Sequence, residues 1–165
     1  MIFGGDQRVD NKSHDYTVLR LDRGSSQEWH TLTPSSHEES QESGDLAFEH
    51  KKTGSIISIN SVCQEHGDAT LEELSRNLLM GLNTQGKIKT TEINIAGVAA
   101  LESTLNAGMS PKNSNNESNI FPVKVRAVVL RKNGCTFDLM YIARPHFFNE
   151  ILPNFDRFLR GFSAN

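Results

Sequence analysis

The feature that most constrains this chain is the block from Phe121 to Phe162. Val123, Val125, Ala127 and Val129 alternate with Lys124 and Arg126, the period-two pattern of a strand. Lys132-Asn133-Gly134 supplies hairpin-turn chemistry. Phe137, Leu139 and Tyr141 then alternate with Thr136 and Asp138. After Pro145 the period changes. Phe147, Phe148, Ile151, Leu152, Phe155, Phe158, Leu159 and Phe162 recur at helical spacing, so the stripe reads as the core face of a helix. Both strands also carry apolar residues on their other faces: Val128 and Leu130 in the first, Met140 and Ile142 in the second. A sheet that is apolar on both sides needs cover on both, which predicts one helix per face.

The remaining segments fit that frame. At 165 residues the chain is long enough for one domain with a real core. Residues 1–15 are nearly devoid of apolar groups and read as a flexible tail, leaving 16–165 as a single domain. Tyr16 to Leu21 is the first expected strand, and Trp29 is expected to anchor the turn after it. The acidic, serine-rich run 33–45 reads as a solvated loop. Leu46–His50 and Ser55–Val62 form a hairpin through Lys51-Lys52-Thr53-Gly54, with Ile57 and Ile59 on one face and Ile56 on the other.

Thr70-Leu71-Glu72-Glu73 is a capping box. It opens a helix whose Leu71, Leu74, Leu78 and Leu82 share a face, with Gly81, Asn83 and Gly86 marking its end. Ile88–Ile95 alternates as a strand, Gly97 breaks it, and Val98–Leu105 returns. The Asn/Ser-rich stretch 106–119 reads as a long mobile loop. Strands therefore come in antiparallel pairs instead of alternating singly with helices. That order specifies α+β: an α/β/α sandwich with one mainly antiparallel sheet flanked by two helices.

Three stretches resemble the PsbP/Mog-type superfamily. They are the Gly97-Val98-Ala99-Ala100 return, the Cys135–Ala143 strand leading into Pro145, and the closing helix from Leu152-Pro153-Asn154-Phe155 to Phe158-Leu159-Arg160-Gly161-Phe162. The resemblance covers roughly residues 45–163. That superfamily includes photosystem II PsbP proteins, the Mog family of Ran-binding proteins, and small bacterial envelope lipoproteins including the DcrB-like ones. Its motifs are packing motifs, so they imply a fold before a function. The Gly-rich leader is similar to the tether that follows a lipidated cysteine. The resemblance thus implies a non-enzymatic binding or assembly module of the cell envelope, lipid-tethered and periplasmic, whose partner is a protein or envelope component. The alternative is an intracellular adaptor or chaperone of the same fold that holds a partner segment.

Charge and motifs exclude several functions. A net charge of −3 provides no basic field for nucleic acid, and membrane contact is expected only through the amino-terminal anchor. His14, His30, His37, His50, His66 and His146 form no HxH or HExxH pattern, so neither metal nor other cofactor is expected. His37 beside Glu38 and Glu39 reads as part of the solvated loop. His66 with Glu65 and Asp68 reads as negative charge favouring a helix start. Cys63 and Cys135 read as two buried or half-buried thiols, with one bridge as the alternative in an oxidising compartment. Cys63 with His66 three residues on lacks an oxyanion-hole loop, and no GxSxG surrounds the serines, so no catalytic residue is assigned. One constellation is kept as a ligand or partner groove: Arg144, His146 and Asn149, at the corner where the last long strand turns into the closing helix.

Overall fold

The computed structural model describes residues 6–10, 15–19, 28–32, 46–63, 69–110 and 120–164, the first two segments as backbone only. Their strands are β1 (Asp6–Asp10), β2 (Asp15–Leu19), β3 (Trp29–Thr31), β4 (Leu46–His50) and β5 (Ile56–Val62). After helix α1 (Leu71–Leu79) come β6 (Asn83–Ile95), β7 (Val98–Met109), β8 (Phe121–Lys132) and β9 (Cys135–Ala143), then helix α2 (Pro145–Arg160) and β10 (Ser163–Ala164). Seven strands form one sheet in the order β3-β4-β5-β9-β8-β7-β6, and every neighbouring pair is antiparallel. β1, β2 and β10 form a second, three-stranded sheet. This is the α+β sandwich expected from the block at 121–162.

Two hairpin turns fix the centre. Lys132 pairs with Cys135 across Asn133 and Gly134, both at positive φ (55° and 80°). Ile95 pairs with Val98 across Ala96 and Gly97, at 53° and 84°. Both are two-residue turns whose twist matches the strands, and Lys132 Nζ ties them together by donating to the Ala96 carbonyl at 2.8 Å.

The side-chain period separates two apolar layers. On one face lie Phe48, Ile57, Ile59, Val128, Leu130, Phe137, Leu139 and Tyr141, covered by Phe148, Ile151, Phe155, Phe158 and Leu159 of α2. Pro145 suits the first turn of α2, where its missing N–H costs nothing. Pro153 sits inside α2 on its exposed side. Tyr141 stacks on Phe155 at 5.5 Å, and its hydroxyl donates to the Phe148 carbonyl at 2.8 Å. The edges of this layer are pinned by Arg126, whose guanidinium meets Glu102 on β7 and, at 2.9 Å, Asp156 on α2.

The opposite face is thinner: Leu105, Ala107, Val123, Val125 and Ala127 lie under Leu79 of the nine-residue α1. Thr70 caps α1, its hydroxyl accepting from the Glu73 amide at 3.1 Å as the capping box requires.

Several expectations need correction. Asp6–Asp10, inside the expected tail, forms β1 against β2, because ladder pairing needs backbone groups and no apolar side chains. Trp29 lies within β3 and is buried edge-on against His50 at 5.0 Å; the turn it is expected to anchor lies outside the described residues. The expected leucines are half-buried, Leu78 and Leu82 packing against the core, and the deepest positions in α1 are their neighbours Ser75 and Leu79. α1 ends earlier than expected, and Asn83 and Gly86 belong to β6, which starts five residues before Ile88. β7 runs through Met109, into the expected loop.

The cysteines are bonded to each other across a sequence separation of 72. Val62 pairs with Thr136, so the β5–β9 register places Cys63 opposite Cys135. The bridge, the alternative to two thiols, is the form present. The run 33–45 with His37, the 64–68 turn with Glu65, His66 and Asp68, His14, and residues 111–119 of the expected loop lie outside the described residues.

Candidate functional site

β9 leaves the sheet at Ala143, and Arg144 keeps extended backbone (φ −63°, ψ 146°) as the cap of α2. It therefore stays with the sheet while the chain behind it turns away. Its guanidinium lies over the Phe121 ring, 4.6 Å from the centroid, a cation–π contact at the exposed mouth of a cleft. The cleft encloses about 250 Å³. Its floor is aliphatic: Ile56, Ile142 and Val123 from three adjacent strands, all facing the α1 side. Met109 and Phe121, paired across β7 and β8, wall one side. Glu49 stands opposite, its carboxylate 3.0 Å from His30 Nε2 and so already engaged.

Among the described residues, Arg144 has no carboxylate partner. The cleft thus offers an aliphatic floor, an aromatic wall and one half-satisfied cation. Such a set holds a group with an apolar body and an acceptor or anionic end. Thr53 also lines the cleft, with its hydroxyl 3.0 Å from Nδ1 of His50.

The expected trio is split. Arg144 lines the cleft, whereas His146 and Asn149 do not. They belong to α2 and are exposed, with the His146 ring 4.0 Å from Phe147's. Pro145 is the reason: it starts the helix, and the helix carries everything after it to the other face. Residues the sequence reading did not select include Phe121, Met109 and Ile56. Phe121 could have been noticed as an aromatic next to a polar run, but its pairing with Met109 has no local signal.

Three other polar features are present, the last of them adjoining the cleft through Thr53. A recess of about 340 Å³ separates α1 from β6 and β7, between Leu79, Ile88 and Leu101. At its base the hydroxyls of Ser75 and Thr90 each lie 3.3 Å from that of Ser103. On β9, Asp138 is half-buried, and burial pushes its carboxyl up to about 6. At the β4–β5 turn, the Thr53 amide donates to Nδ1 of buried His50 at 3.2 Å. Nε2 of His50 then carries the proton and faces Glu28 at 3.4 Å, a structural arrangement that knits β3 to the hairpin.

No family model matches this chain, and no curated protein does. Solved structures do. LpqN, involved in cell envelope biogenesis of Mycobacterium tuberculosis, matches with a TM-score of 0.56 and 14% identity over 97% of this chain and 90% of its own. The cyanobacterial PsbP of Synechocystis sp. PCC 6803 matches with a TM-score of 0.53 and 14% identity over 100% and 95%. A Bacteroides thetaiotaomicron protein matches at 0.55 and 9% identity, with only 49% of its own length covered. At such identities the likeness is one of fold. The chain has a PsbP-like fold.

Proposed function

We propose that this protein is a non-enzymatic binding module of the cell envelope, tethered to a membrane at its amino end and facing an oxidising compartment. The observation that carries the reading is the Cys63–Cys135 bond. Disulfides persist outside the reducing cytosol and are rare within it, which counts against the intracellular adaptor. LpqN, whose fold is similar, is an envelope-biogenesis protein, and that supports the same placement. The Phe121–Arg144 cleft supports binding, because an aliphatic floor, an aromatic wall and the Arg144 guanidinium suit a ligand with an apolar body and an anionic end.

Fractionating the host and alkylating the protein without reductant tests the placement. The expected result is envelope association with both cysteines blocked by their bond. Soluble cytosolic protein with two alkylatable thiols would overturn it.

A further inference from the structure

β6 closes one edge of the seven-stranded sheet, so among the described residues one row of its backbone N–H and C=O groups has no strand beside it. It is long for an edge, thirteen residues, and Asn83–Glu92 are exposed throughout. Exposed edges of that length invite pairing unless they are guarded. The guards here are local. The register shifts between Gln85 and Lys89, at a bulge containing Gly86 (φ 75°), and Lys87 and Lys89 flank Ile88. Past Lys89 the ladder with β7 runs regularly to Ile95.

The α1 side of this edge is not a plain surface. Ile88 and Thr90 of β6 form one wall of the recess beneath α1; Leu79 and Leu101 supply its other apolar lining, and Glu72 and Arg76 of α1 also line it. Ile88 is 42% exposed, and Met80, at the end of α1, is 76% exposed. These are two of the three large apolar side chains exposed among the described residues. A free strand edge and an apolar recess therefore adjoin. That pairing of features is what strand addition uses: backbone bonds supply affinity, and a pocket for alternate side chains supplies selectivity.

The charges select the occupant. Lys89 points to the face opposite Ile88, and among the described residues neither Lys87 nor Lys89 has an ion pair. A second copy docked edge to edge about Ile88 would set lysines opposite lysines, which is unfavourable. A foreign strand with acidic side chains on that face would meet them favourably.

We propose that β6 is a strand-addition site for an extended segment of a partner protein. Alternate apolar side chains of the segment lean over Ile88 and Thr90 into the recess, and its acidic side chains lie along Lys89 and Lys87. This deepens the reading of the chain as a binding module and rests on it, but it uses a site separate from the Arg144 cleft.

The test uses a ten-residue peptide alternating valine or leucine with glutamate, and a second peptide with lysine in place of each glutamate. Binding is followed by amide shifts and hydrogen exchange on the full chain. The acidic peptide should saturate, slow exchange over 84–92, and bind at least about tenfold tighter than the basic one. Ile88→Glu should lower its affinity at least about tenfold, and Lys89→Glu should erase or reverse the charge preference. Both positions are exposed, so the fold is retained. Absence of saturable binding by the acidic peptide would overturn the proposal. So would equal affinity for both peptides, shifts confined to the Arg144 cleft, or a β6-mediated dimer in sedimentation. None of these results would touch the envelope placement, which fractionation and alkylation decide separately.

Discussion

The two faces of the central sheet are built differently. Under α2 the layer is aromatic and closed: Phe48, Phe137, Tyr141, Phe155 and Phe158 are each 1% exposed or less. Under α1 the layer is aliphatic and short, with a serine, Ser75, at a buried helix position and openings at both sides. Burial of large aromatic rings stabilises a fold far more than burial of alanine and valine. The contrast implies a division of labour. The α2 face holds the fold, which leaves the α1 face free to keep a cleft, a recess and a half-buried carboxyl.

The sharpest way to break this comparison is at Phe158, which is fully buried and edge-on to Phe48 at 6.2 Å. Phe158→Ala should cost about 3–5 kcal/mol in denaturant unfolding, the usual range for a core aromatic. A loss under about 1 kcal/mol would mean that the α2 face does not carry the fold.

The disulfide comes next. It closes a long loop and joins β5 to β9, strands far apart in sequence. Cys63→Ser with Cys135→Ser should lower stability by about 2–4 kcal/mol in melts compared with the oxidised protein. Unchanged melts would remove the bond from the account.

A smaller effect of opposite sign is expected at Asp138. Burial raises its carboxyl from 3.8 to about 6, so the folded protein binds this proton more tightly than the unfolded chain does. The stability that results is complete below about pH 4 and is lost as pH rises through about 6. Asp138→Asn should therefore stabilise the protein at pH 7.5 by about 1–3 kcal/mol and change little at pH 4. Thermal melts at both pH values would show it, and equal shifts at both would contradict it. The smallest effect belongs to the α1 cap. Thr70→Ala removes the bond to the Glu73 amide and should cost about 1 kcal/mol.

Legibility in the sequence followed the range of the interaction. The Thr70 cap, the Asn133-Gly134 turn and the phenylalanine stripe of α2 are local, and each could be read from spacing alone. The apolar residues on both faces of β8 and β9 were enough to require two helices. What escaped was non-local or unpatterned. The β5–β9 pairing that brings Cys63 to Cys135 spans α1 and three strands. β6 begins in Asn83-Thr84-Gln85-Gly86, which has no apolar period because neither face of that edge is covered. Arg144 was selected for its place at a corner and lines the cleft, whereas helix geometry carries His146 and Asn149 away from it. Met109 and Phe121 became visible only through their pairing across β7 and β8.

Native-state hydrogen exchange tests the division between the faces most directly. Amides of β8, β9 and α2 should exchange only through global unfolding, with one common free energy. Amides of α1 and β6 should exchange through local opening at a distinctly lower free energy. Equal protection on both faces, or an α2 that opens before α1, would contradict the account.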